Sequence, residues 1–351
     1  MTPVLANAFE DQARACGQLG SPFMAKTLPL MLRAALNVPQ LADQLQGIPQ
    51  GRLAPTADAT ALRLAAGFHQ IVLDGHGLAA AYPPHAWDEQ GLYAALCQAA
   101  QDQPKILANA LLSPPQTNEI RRSAVLIAVG HWLTARFGKM LVLSELGCSA
   151  GLNLNWDFYR MTAAGLEFGP QASAVHLKPD WRGTAPTLCP AYVHAAQGVD
   201  LNPPDITTTH GQTKLLSYLW PDQPDRLTLT RAGLDISTRP DTESHGQVVK
   251  GDALDWLPER LSPKGPYLHL IYSTIAWQYL PPKAQQKGHD MITSAGALAT
   301  QDAPLAWFQM EGDTDHDSAA LTLRLWPGDI TIPMGRADYH GRWIDWCAPV
   351  P

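Results

Sequence analysis

Three carboxylates stand at the ends of short apolar runs, and the residues around them have the types needed to hold a nucleoside. Glu145 closes Leu141, Val142 and Leu143 and opens the stretch ELGCSAGLNLNWD over residues 145–157. Gly147 and Gly151 bracket a tight loop that contains Ser149 and Ala150. Glycine belongs where the backbone takes a positive φ, or where a ligand must approach the main chain without meeting a Cβ. The segment after the loop can be helical, and the free N–H groups at a helix start point at whatever lies on the loop. The pattern is not the dinucleotide fingerprint G-x-G-x-x-G, because Cys148 and Ser149 break it.

Asp200 sits in GVDLNP, residues 198–203, beside Leu201. An acid at the end of a short apolar strand suits hydrogen bonds from ribose hydroxyls, and an Asx turn before two prolines fits the same residues. Asp252 and Ala253 follow the run at 247–250, where the acid is either a ligand contact or a helix N-cap. The run LHLIYS ends at Ser273 and leads into TIAWQYLPP, where Trp277 offers a stacking face and Gln278 and Tyr279 offer hydrogen-bonding groups. A further candidate group, Asn118 and Arg122, opens the helical pattern at 119–137, as site residues or as a plain cap with solvated arginines.

The elements that would position these residues follow from periodicity. Residues 1–110 repeat apolar positions at helical spacing, with no alternating pattern. The helix at 119–137 is joined to the strand at 141 by Gly138-Lys139 alone, so it must run antiparallel and place Asn118 and Arg122 near the strand's C-terminal end. That edge is where open α/β sheets bind ligands. Residues 161–198 are broken by Gly and Pro and predict a hairpin-like insertion or lid. Further strands are expected at 247–250, 268–273 and 305–311, with helices at 214–220, 226–236 and 283–298. Alternating runs at 321–326 and 342–347 predict a C-terminal antiparallel hairpin.

Taken in order, E-x-G-x-x-x-G, GVDLNP, GDA, the polar-aromatic lip at 277–279 and a fifth strand resemble class I S-adenosylmethionine-dependent methyltransferases. The first motif departs from the commoner form, which has glycine in place of Ser149. The segments ELGCSAGLNL, GVDLNP, GDALDWLP and WQYLPP, with QTNE and Arg122, more narrowly resemble an uncharacterised bacterial domain-of-unknown-function family. The resemblance implies an α/β, Rossmann-like, mostly parallel sheet over 115–351 behind a helical domain over 1–114. It also implies S-adenosylmethionine as cofactor. Glu145, Gly147 and Gly151 would surround its methionine part, Asp200 would meet the ribose, and Asp252 with Ala253 the adenine. Ser149, Ala150, Leu201 and Ser273 would complete the cofactor-binding set. Asn118, Arg122, Trp277, Gln278 and Tyr279 would face a small organic acceptor, expected to be polar or anionic and to lie in a pocket shared with the 165–190 insertion. A non-catalytic binding or regulatory protein on the same scaffold is the alternative, and an NAD-dependent oxidoreductase is a weaker one because the fingerprint is missing.

Composition limits the rest. The chain has 351 residues, 46% of them hydrophobic, and a net charge of −7 without a basic stripe, which disfavours nucleic acid. No apolar run reaches the roughly 20 residues of a membrane span, and no leader is evident, so a cytoplasmic protein is expected. Five cysteines without a C-x-x-C pair suggest free thiols and no structural zinc. His69 and His76 could share a helix face but lack a third ligand. The acidic loop after Glu311 has Ser318 and Arg324 where a calcium loop needs Gly and Glu. Of eleven tryptophans, seven lie from Trp220 onward, where they could line a pocket or simply pack. The sequence is silent on oligomeric state.

Overall fold

The computed structural model describes residues 2–49, 51, 53, 59–239, 246–262, 265–314 and 317–351. Asp315, one of the acids in the rejected calcium loop, lies outside them. The chain divides into two compact units, Met1–Thr117 with Asp205–Arg231, and Asn118–Pro204 with Ala232–Pro351. The helices are α1 (Pro3–Gln18), α2 (Pro22–Leu36), α3 (Pro39–Gln46), α4 (Thr60–Leu73), α5 (Glu89–Asp102), α6 (Pro104–Ala110), α7 (Ser123–Phe137), α8 (Thr209–Ser217), α9 (Pro224–Ser237), α10 (Ala253–Arg260) and α11 (Pro282–Gly296).

The first unit is helical. Proline opens α1, α2, α3 and α6, a position where its missing N–H is not needed and its fixed φ already suits the helix. Its core joins Phe9, Leu28, Phe68, Leu96 and Tyr82 with Trp220 from the segment that returns to it. Asp222 accepts the Ser21 hydroxyl at 2.6 Å and the Phe23 N–H at 3.0 Å, so a distant carboxylate reinforces the start of α2. His69 is a satisfied core histidine, its Nδ1 2.9 Å from the Leu219 carbonyl. Burial pushes it down to about 4. His76 is exposed, and among the described residues no cluster of three potential metal ligands forms.

The second unit is built on a nine-stranded sheet. Its strands are β1 (Leu141–Leu146), β5 (Asp180–Gly183), β6 (Val193–Asp200), β7 (Gly246–Lys250), β8 (Leu268–Thr274), β9 (Leu305–Gly312), β10 (Ala319–Trp326), β11 (Ile330–Ala337) and β12 (Trp343–Trp346). The order is β5-β12-β11-β10-β9-β8-β1-β6-β7, and pairing from β7 through β9 is parallel throughout. β1 and β8 are buried at every position, as expected of parallel strands covered on both faces. The strand order reverses at β1, so the switch point lies between the C-terminal ends of β1 and its neighbours. The other three strands of the 160–177 region, β2 (Arg160–Ala163), β3 (Leu166–Phe168) and β4 (His176–Leu177), form a separate small sheet.

Three sequence expectations change. The alternating runs at 321–326 and 342–347 do not pair with each other: β11 lies between them, pairing with both. Pro333 and Gly335 hide β11, since proline cannot donate to a ladder, and the register shifts at Leu321/Thr322 beside it. The insertion does not stay beside the loop after β1. Its β5 pairs with β12 at the far edge, six strands from β1 or roughly 29 Å at about 4.8 Å per strand. Residues 152–158 form a 3₁₀ turn broken at Asn155 rather than an α-helix.

No helix among the described residues is long and apolar enough to cross a membrane. Most of the tryptophans pack in the interior, among them Trp132, Trp156, Trp277, Trp307, Trp326 and Trp346. A Cβ on Gly288 would lie 2.6 Å from Trp277, and Gly130 and Gly296 likewise leave room for the rings of Trp156 and Trp326.

Candidate functional site

The C-terminal ends of β1, β6, β7 and β8 bring together the carboxylates and the glycine loop singled out in the sequence. Glu145 is opposite Gly198 on one side and Tyr272 on the other. It is fully buried, and burial pushes its carboxyl up to about 8, opposed by a hydrogen bond from Tyr272 and by the charge of Arg122. The Tyr272 hydroxyl donates to Glu145 Oε2 at 3.4 Å and to the Asn153 carbonyl at 3.2 Å.

The loop after Glu145 is held from within the unit. Val199 O accepts the N–H groups of Gly147 and Cys148, Asp200 Oδ2 accepts that of Ser149 at 2.9 Å, and Asn118 Oδ1 accepts that of Leu152 at 2.8 Å. Gly151 N–H donates to Cys148 O. The expectation of free amides facing a ligand is therefore corrected: these five N–H groups already have protein partners. A pyrophosphate, which is bound through such amides, finds few donors here. Gly147 has φ +70° and an exposed backbone, and a Cβ there would lie 2.6 Å from that of Ala276. Ser149 takes φ +52°, and its buried hydroxyl has no hydrogen-bond partner among the described residues. Ala150 is buried, and Leu201 stands 60% exposed next to Asp200. Asp200 also accepts the Asn202 N–H at 2.9 Å, while Asp252 caps α10 by accepting the Leu254 N–H at 2.7 Å, with Ala253 as the first helical residue.

On the other side of the switch point, β8 ends in a strained turn. Ile275, a β-branched residue, has φ +54°, a conformation such side chains rarely take. Glu311 from β9 holds the turn, accepting the N–H groups of Ala276, Trp277 and Gln278 at 3.0–3.3 Å. Burial raises the Glu311 carboxyl, and the buried Ser273 sits against it. Gln278 returns its Oε1 to the Gly312 N–H at 2.7 Å. Trp277 is buried edge-on to Trp307, and Tyr279 is 69% exposed.

Arg122 and Asn118 reach this edge, as the short connection before β1 requires. Their polar groups are committed to it: Arg122 Nη1 donates to Thr274 O at 2.8 Å and Nε to Tyr339 O at 2.9 Å. Arg122 is buried and braces the end of β8 against the loop after β11, while Tyr279 is 69% exposed. A cavity of about 490 Å³ lies elsewhere, at the opposite edge of the sheet beside His269 and Leu305. Of the acids after Glu311, Asp313 is tied back, bridged by Arg336 at 2.7 and 3.0 Å.

Residues 6–346 match the model of a family described as "Uncharacterized protein conserved in bacteria (DUF2332)". The chain belongs to this family. No curated protein and no solved structure matches it. In this member of the family, sequence reasoning passed over Glu311, Tyr272 and Tyr339. Glu311 carried a readable signal, an acid at the end of an apolar run like Glu145. Tyr272 and Tyr339 carried none, since one lies within a strand and the other in a loop seen only once β11 is known.

Proposed function

We propose that this protein is an S-adenosylmethionine-dependent methyltransferase acting on a small organic molecule. One observation carries the reading. At the switch point of a 3-2-1-4-5 strand order (β7-β6-β1-β8-β9), the loop after β1 keeps one buried polar atom without a partner among the described residues, the Ser149 hydroxyl, while the N–H groups of Gly147, Cys148, Ser149, Gly151 and Leu152 are satisfied internally. Buried polar atoms are nearly always paired, so an unpaired one in a loop of this kind supports a ligand there. The donor set favours the chemistry of this cofactor over a dinucleotide. S-adenosylmethionine brings a nucleoside and a cationic sulfonium without phosphate, and supplies the methyl group. Here the ends of the strands carry Glu145, Asp200 and Asp252 and few free amides.

On this reading Asp200 orients the loop and meets a ribose, Leu201 offers an apolar face to a base, and Glu311 fixes the turn that carries Trp277, Gln278 and Tyr279. Methyl transfer asks mainly for in-line placement of the acceptor. A bacterial cytoplasmic setting, with Cys16, Cys97, Cys148, Cys189 and Cys347 as free thiols, is part of the proposal.

A second reading, a nucleoside-binding protein without catalysis, is favoured by one fact: Asn118, Arg122 and Gln278 spend polar groups on the backbone. Calorimetry of the full chain tests the first step common to both. S-adenosylhomocysteine is expected to bind saturably and NAD not at all; NAD binding without an adenosylhomocysteine signal would overturn the cofactor assignment. Methyl transfer to candidate acceptors then separates the two readings.

A further inference from the structure

The cavity of about 490 Å³ is formed entirely within the second unit and at the edge of the sheet opposite the loop after β1. His269 and Leu305, from the first turns of β8 and β9, make its floor. Its walls come from the C-terminal ends of α10 and α11 and the residues that follow α11. Two features keep it open. Pro258 interrupts the hydrogen bonding of α10 near its end, and Ala295, Ala299 and Ala303 recur at intervals of four where larger side chains would fill the space.

We propose that this cavity is a second ligand site, for a small, neutral, hydrocarbon-rich molecule. The volume falls in the range of about 300–1,000 Å³ typical of small-molecule sites. At roughly 30 Å³ per water-sized group it accommodates about 16 such groups, more than enough for a molecule of about ten non-hydrogen atoms. Among the described residues no charged side chain lines it, so a bound ion would lose its hydration without gaining a counter-charge from them. The polar edge of His269 is turned into the sheet. Its Nε2 lies 2.8 Å from Ser144 Oγ, which also accepts Arg260 Nε–H at 3.1 Å. Among the described residues Ser262 is the one other polar residue of the lining, enough for a single hydrogen bond. Leu298 stands 76% exposed at the rim, an apolar side chain that an occupant would cover. The site is independent of the cofactor reading, since none of its residues belongs to the loops around β1 or the turn after β8.

The test uses the full chain with ¹³C-methyl-labelled methionine, because Met291 lies in the lining. Titration with indole, which is neutral and of suitable size, is expected to shift the Met291 methyl signal saturably. The anion indole-3-acetate is expected to leave it unmoved. Ala295→Leu and Ala299→Leu each place extra carbons in the space and should weaken indole binding by roughly tenfold or more. Their melting temperatures should hold or rise. An immobile Met291 signal, equal binding of indole-3-acetate, or unchanged indole affinity in both stably folded variants would overturn the proposal.

Discussion

At the scale of single residues, Ser149 and Gly147 make opposite predictions although they are two positions apart. The Ser149 hydroxyl has no protein partner among the described residues, so its removal should not weaken the fold. Ser149→Ala is expected to lower affinity for S-adenosylhomocysteine by about 0.5–1.5 kcal/mol, the value of one hydrogen bond, at unchanged or higher melting temperature. Equal affinity by calorimetry would remove the hydroxyl from the ligand site. Gly147 behaves differently, because its positive φ and the neighbouring Ala276 forbid a side chain even before a ligand is considered. Gly147→Val should therefore cost stability, of order 2–4 kcal/mol from strain and overpacking together, with or without ligand. A denaturation midpoint equal to that of the parent would show that the close approach of the two loops is not maintained in solution.

At the scale of elements, the same logic inverts a common rule. Alanine is ordinarily the better helix former by about 1 kcal/mol, yet Gly130 of α7 lies directly under the ring of Trp156. Gly130→Ala is expected to destabilise by about 1–3 kcal/mol and to disturb the 3₁₀ turn at 152–158, measurable by denaturant melts. Stabilisation instead would mean that Trp156 is not seated on α7. Legibility in the sequence follows the elements. β1, β8 and β9 could be read because a strand buried on both faces is a continuous apolar run. β11 could not, because Pro333 and Gly335 imitate a turn, and its absence made two non-adjacent strands look like partners. The acids at strand ends were legible as positions, since Glu145, Asp200 and Asp252 each close a run. Their partners were not: that Arg122 braces the Thr274 and Tyr339 carbonyls, or that Glu311 gathers three amides of another strand's turn, depends on contacts more than 30 residues away along the chain.

At the scale of the whole molecule, buried titratable groups in the two units set a pH window. His69 in the first unit and His131 in the second are each pushed down to about 4 from 6.5, chiefly by burial. A group held neutral in this way contributes stability that is present above 6.5 and lost as pH falls towards 4. Glu145 is displaced the other way, from 4.5 to about 8, so its contribution is present below 4.5 and lost as pH rises through 8. Melting temperature should thus decline on both sides of near-neutral pH. Glu145→Gln should flatten the alkaline limb between 6.5 and 8.5 while leaving the acid limb in place, and an unchanged alkaline limb would mean that Glu145 titrates normally. The pairing of β1 has a consequence in time as well as in energy. Leu141 pairs with Val193, 52 residues on, and with Leu268, 127 residues on, whereas β9, β10 and β11 each pair with the strand that follows. Closing long loops is slower than closing short ones. The C-terminal meander can zip up by itself, but during synthesis β1 must wait for β8 to emerge before one of its sides is covered. Until then that edge stays unpaired and open to mispairing.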